Sequence, residues 1–279
     1  MKKVVGVMLF LSMCTLHADH PHTRLVEYQC DGVALSPQKK TFGTYVMGGL
    51  ATVFKDAIAL NRNLISLDTV KVLVGFTPFY ISSRFIDQRV QKRFYDPAHH
   101  KNINQMPSTF CKVVEEGAFG IMIGLSTLTF FGQSEHARTT GRVFGIGAIS
   151  ALLGKKIVKE FKFEGGKRPW HEKFSCKSRS DGGFPSGHMV EAAYSATVFG
   201  WQYGYKAGIP LGIYAGIMFG VSVNRNRHYV SQVVAGTAVG IIYGLAANRV
   251  IDCHMCKDLT LNVGTNEQGY SEVCISYKF

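Results

Sequence analysis

Five apolar segments mark the second half of this chain: Gly117 to Gly132, Val143 to Val158, Met189 to Tyr205, Ala207 to Val223 and Tyr229 to Ala247. Each sits at the short edge of what crosses a hydrocarbon core of ~30 Å at ~1.5 Å per helical residue. Glycine tips the pattern toward membrane helices. Gly200, Gly204, Gly208, Gly212, Gly216 and Gly220 recur at every fourth position, and Gly236, Gly240 and Gly244 repeat the spacing. A small residue at that interval makes a flat ridge on which a neighbouring backbone can lie. The first half is less regular. Phe42 to Leu60 is interrupted by Lys55 and Asp56, and Val70 to Ile81 contains Pro78, so neither is expected to span. Arg84 to Pro107 is amphipathic and then polar, which predicts a surface helix and a loop. After Asp252 the pattern changes to alternation on either side of 265–269, the mark of a β-hairpin. The expected architecture is an all-α bundle of five to six membrane or membrane-like helices closed by a short C-terminal β-hairpin.

The first residues add a leader. Lys2-Lys3, an apolar stretch and Leu16-His17-Ala18 have the zones of a secretory signal cleaved after Ala18. The expected divisions are therefore a signal peptide (1–18), an extension with peripheral helices (19–116), a helical core (117–251) and a hairpin tail (252–279). Export makes disulfides available to Cys30, Cys111, Cys176, Cys253, Cys256 and Cys274, with the connectivity open. Cys253-His254-Met255-Cys256 has no second ligand pair at metal spacing, so no metal is expected.

Charge narrows the partners. A formal charge of +12 over 279 residues permits phosphorylated lipids, headgroups or nucleic acid. The basic residues gather beside one histidine motif instead of interleaving with aromatics, so nucleic acid is not expected. Mean hydropathy is +0.07, between polytopic membrane and ordinary soluble values, which leaves a tightly packed soluble bundle as the alternative.

The candidate chemistry is concentrated in Arg168-Pro169, Phe184-Pro185-Ser186-Gly187-His188 and His228-Tyr229. A guanidinium stays charged, and a Pro-Ser-Gly approach to a helix leaves N–H groups directed at an anion. Two histidines beside such a site suit phosphoryl transfer, one attacking phosphorus and one protonating the leaving oxygen.

These three motifs resemble those of the type 2 phosphatidic acid phosphatase (PAP2) and vanadium haloperoxidase superfamily, over about residues 117 to 250. The resemblance implies a helical bundle, commonly of six membrane helices, that removes phosphate from lipid phosphates or small esters without a metal or other cofactor. Vanadate would act as an inhibitor or phosphate mimic. It also implies His228 as nucleophile, His188 as general acid, and Arg168 as a phosphate clamp aided by an upstream Lys and the N–H groups of Ser186 and Gly187.

Three positions depart from the family pattern. The slot for the motif-one Lys holds Phe161, leaving Lys159 or Lys162 to serve if Gly165-Gly166 loops out. The slot for the motif-three Arg holds Ser222, with Arg225 as the natural stand-in. The carboxylate expected four residues after the nucleophile is Gln232, whose carbonyl oxygen can accept the histidine Nδ1 proton without supplying charge. Glu191, on the face of His188, is an acid inside an apolar segment and is expected to restore that charge by pairing with a site His or Arg.

The sequence thus points to a metal-independent phosphatase acting on a phosphorylated lipid or small phosphate ester through a phosphohistidine. The expected location is the inner membrane of a bacterial envelope, with the site toward the periplasm. The alternatives are a weakened relative that binds phosphate headgroups, a soluble periplasmic acid phosphatase and a haloperoxidase. Neither the particular substrate nor the oligomeric state follows from the sequence.

Overall fold

A computed structural model describes residues 42–96, 98–99, 101–161, 163–169, 182–256, 259–265 and 271–277. The expected leader, Cys30, Cys176 and Lys162 lie outside them. Contacts divide the chain into a leading unit, Met1–Ala51, represented among the described residues by 42–51, and a second unit, Thr52–Phe279.

Seven α-helices occur among the described residues: α1 (Phe42–Asn63), α2 (Leu67–Gln91), α3 (Ser108–Phe130), α4 (Glu135–Glu160), α5 (Gly187–Tyr203), α6 (Tyr205–Asn224) and α7 (Val230–Cys256). A two-residue ladder pairs β1 (Tyr95–Asp96) with β2 (Lys101–Asn102), and the expected terminal hairpin pairs β3 (Leu259–Thr265) with β4 (Ser271–Tyr277) antiparallel.

Helices α3, α6 and α7 are long and apolar enough to cross a membrane, and α1 with α2, bent by 48° at their junction, makes a fourth candidate span. Neither apolar stretch suffices separately, as the sequence reading has it; only the bent pair suffices together. Around α2 and α3 the outward surface is apolar, with Phe85 83% exposed and Leu128 74% exposed. Side chains of that kind face lipid at little cost and water at a large one. The chain is a membrane protein.

Helix α7 is the central element. Within the apolar windows, 78% of α7 is buried against 22% of α3 and 33% of α6. Its glycines explain how. A Cβ at Gly236 would stand 2.7 Å from the Ser186 carbonyl oxygen, one at Gly240 2.6 Å from that of Val190, and one at Gly244 2.6 Å from Thr197 Cβ. Helix α5 therefore lies directly on the α7 glycine face, as the spacing predicts. The longer glycine series behaves differently. Gly204 has φ +69° and ends α5, so the ridge is split between two helices, and only Gly200 and Gly208 approach each other. Open space faces Gly212, Gly216 and Gly220 on the peripheral α6.

Asp56 shows why an acid tolerates the apolar α1. It is buried and accepts from Arg142 Nε at 2.9 Å, with His254 Nε2 at 2.7 Å, which ties α1 to α4 and α7. Cys111 is a buried free thiol, which removes it from the cysteines expected to pair.

Candidate active site

The end of α4, the 163–169 segment, the start of α5 and the 225–229 loop converge on His228. That side chain is only 4% exposed. Its Nδ1 lies 2.7 Å from the carbonyl oxygen of Gly183. A carbonyl only accepts, so Nδ1 carries the proton and Nε2 keeps its lone pair. Burial first, and then the positive charges of Arg168 and Lys159, hold the His228 pKa down to about 3 from an ordinary 6.5, so the ring is neutral at physiological pH. His188 also acts on it electrostatically. Lys159, Arg168 and His188, all read from the sequence, thus lie near enough to His228 to act on its charge.

Gln232 is buried but does not receive the histidine proton. Its Oε1 accepts from the Tyr229 N–H at 3.2 Å, and its Nε2 donates to the carbonyls of Gly165 at 3.0 Å and Lys167 at 2.7 Å. Its role is to fasten the segment carrying Arg168 to the start of α7. The expectation that Gln232 replaces the family carboxylate on Nδ1 is therefore corrected: a backbone carbonyl takes that place. Gly183 is confined between these parts. Its N–H donates to the Gly166 carbonyl at 2.8 Å, and a Cβ there would stand 2.8 Å from both Gln232 side-chain termini.

Glu191 is corrected in part. Its ion pair is with Lys155 of α4 and not with a site Arg, both side chains being largely buried, while its charge also acts on His188. The Lys155 ammonium also borders the start of α5, 3.1 Å from where a Cβ on Gly187 would lie. Lys155 is the charge that the sequence reading overlooked. It lies one turn before Lys159, and that i,i+4 spacing on α4 is the signal that would have found it.

At the start of α5, the Ser186 N–H donates to the Gln232 carbonyl at 3.1 Å, so it is committed and not open to an anion as expected. The Ser186 side chain makes no cap bond, and its hydroxyl is buried without a partner among the described residues. The helix-start N–H groups of Gly187 and His188 have no intrahelical acceptor. They carry the partial positive charge of the helix terminus.

Arg225 and the adjacent Arg227 turn to Glu115 on α3, at 3.2 Å and 2.8 Å. Arg225 is therefore not a free stand-in for the missing motif-three arginine. Ser222, in that slot, is buried, and its carbonyl accepts the His228 N–H at 3.3 Å, closing the loop on itself. Beside it a cavity of about 530 Å³ is lined by His188, Glu115, Arg225 and Arg227, among others.

The 84–107 region, expected as a surface helix and loop, braces this loop instead. Gln91, fully buried, donates to the His228 carbonyl at 2.8 Å, and Asp87 accepts from Ser231 N–H at 3.0 Å and its hydroxyl at 2.5 Å, capping α7. Asn226, at φ +55°, donates to the Phe94 carbonyl at 2.9 Å. Asn tolerates that left-handed conformation better than most side chains.

No curated protein sequence is a significant match to this chain. Among solved structures it is similar to a transmembrane PAP2-type phosphatidylglycerolphosphate phosphatase of Bacillus subtilis, at 16% identity and a TM-score of 0.47, over 67% of this chain and 98% of that one. Residues 142–254, which carry all three motifs, match the family model of the PAP2 superfamily.

Proposed function

We propose that the protein is a phosphatase that hydrolyses a phosphate monoester or diphosphate of a lipid through a phosphohistidine on His228. The observation that carries the reading is a buried, neutral imidazole whose Nδ1 proton is fixed on Gly183, beside Arg168 and Lys159. The Nε2 lone pair attacks phosphorus as the bond to the leaving oxygen breaks, and His188 gives that oxygen its proton. Water then attacks the phosphohistidine, loses its proton to His188 and releases inorganic phosphate with His228 restored. Arg168, Lys159 and the N–H groups at the start of α5 hold the equatorial oxygens, where charge accumulates. Lys155, held by Glu191, adds positive field at the same helix start. No step requires a metal or other cofactor.

A lipid substrate is favoured because the site opens on a bundle with membrane-length helices and an apolar surface. The leader expected at 1–18 favours a bacterial envelope with the site toward the periplasm. The second reading, a protein that binds a phosphate headgroup without turnover, draws on the losses at Ser222 and Gln232. Detergent-extracted protein is expected to release inorganic phosphate from an aryl phosphate, with inhibition by vanadate. Phosphate binding with no turnover at any pH would favour the second reading.

A further inference from the structure

Helix α2 presents two opposite faces. Ser83, Asp87 and Gln91 follow one another at four-residue spacing and are all buried. Asp87 holds Ser231 and Gln91 holds the His228 carbonyl, so this inner face carries the loop of His228. On the far side of the helix run Ile81, Phe85, Arg89 and Lys92, every one exposed.

That outer stripe changes character along its length. Ile81 is 50% and Phe85 83% exposed, and from the next turn on the side chains are cationic: Arg89, Lys92 at the C-cap and Arg93 just past it. Side chains of the first kind suit hydrocarbon. Those of the second suit the headgroup layer, where a basic tip meets anionic lipid while its stem lies on apolar surface. The change from Phe85 to Lys92 takes about two helical turns. Acids nearby do not compete for these cations. The stretch 84–107 contains two carboxylates: Asp87 is buried against Ser231, and Asp96 is occupied by His99 Nδ1 at 2.6 Å and the Ala98 N–H at 2.9 Å.

We infer that the outer face of α2, from Phe85 to Arg93, binds anionic phospholipid headgroups of the surrounding leaflet, and that lipid held there steadies the inner face against the His228 loop. The cations lie at the level of Gln91, and so at the level of the candidate site. Binding does not depend on the phosphatase reading; its effect on turnover does.

The test reconstitutes the full chain in phosphatidylcholine vesicles, alone or mixed with phosphatidylglycerol, a diester that the proposed reaction leaves intact. Electron spin resonance reads the association of spin-labelled phosphatidylglycerol relative to spin-labelled phosphatidylcholine. The anionic label is expected to be preferred by about threefold or more, and the preference to weaken at high salt. The triple variant Arg89→Gln, Lys92→Gln, Arg93→Gln changes only exposed side chains and should lose about half of the preference or more. Phosphatidylglycerol should also raise kcat on a soluble aryl phosphate by about twofold or more in the wild type and not in the variant. Surface charge alone gives no such rise, because an anionic surface repels an anionic substrate. No preference, or one undiminished in the variant, overturns the surface. A preference with unchanged kcat overturns the coupling to His228. Inorganic phosphate or an oligonucleotide that abolishes the preference at constant ionic strength assigns the surface to a soluble anion and overturns it as well. If no aryl phosphate is hydrolysed, the phosphatase reading fails, while the lipid preference still decides the surface.

Discussion

The imidazole of His228 donates from Nδ1 to the carbonyl of Gly183 at 2.7 Å, and Gly183 in turn donates its N–H to Gly166 at 2.8 Å. The group that orients the proposed nucleophile is thus a backbone oxygen, itself fixed by the segment that carries Arg168. A carbonyl sets the tautomer as a carboxylate would but contributes less negative charge to an imidazolium.

One consequence concerns Gln232. Installing the family's carboxylate with Gln232→Asp removes the amide that donates to Gly165 and Lys167, leaves two carbonyls without that donor and adds an unpaired charge. Activity is expected to fall about tenfold or more and the melting temperature to drop. Steady-state kinetics and a detergent-compatible melt check this, and a faster Gln232→Asp enzyme would contradict it.

Gly183→Ala gives a second test. The added methyl would press on the Gln232 side chain and the Gly166 carbonyl, both within 2.8 Å. Moving either displaces the acceptor of the His228 proton. The expected result is a fall in kcat with a smaller change in KM, measured on any substrate the wild type turns over.

The Lys155–Glu191 pair predicts non-additive behaviour. Removing one member leaves the other charge buried alone, at about 3–5 kcal/mol. Lys155→Met and Glu191→Gln should each destabilise strongly, and the double variant less than the sum of the two. Thermal melts of the four proteins read the coupling; additive losses would mean that the pair is not formed.

A pH effect follows from His228. Its pKa is lowered to about 3 in the folded protein from an ordinary 6.5, so between those values the unfolded chain binds a proton that the folded one refuses. Stability from this group is whole above pH 6.5 and declines as the pH falls toward 3. His228→Gln, which cannot titrate, should show a shallower loss of melting temperature between pH 7 and pH 4 than the wild type. Equal slopes would place the His228 pKa near its ordinary value.

Side-chain identity and spacing made much of this visible in advance. The Pro-Ser-Gly-His approach and the pair Arg168 and His228 mark residues that the fold does bring together, and the α7 glycines mark the face on which α5 lies. What stayed hidden had no side-chain signature. The acceptor for His228 is a main-chain oxygen fifteen residues downstream of Arg168, which any residue type could supply. The brace formed by Asp87 and Gln91 depends on α2 packing against α7, a tertiary fact that the irregular hydropathy of 67–91 concealed. Arg225 looked available because Glu115, the group that occupies it, is 110 residues away in sequence.

The most direct measurement is to trap the intermediate. Rapid quenching of the protein with a radiolabelled phosphate ester should yield an acid-labile, base-stable phosphoprotein, with the label on the peptide containing His228. Loss of both label and turnover in His228→Ala is the predicted result. Undiminished phosphate release by His228→Ala, or label that maps to another residue, would contradict the account.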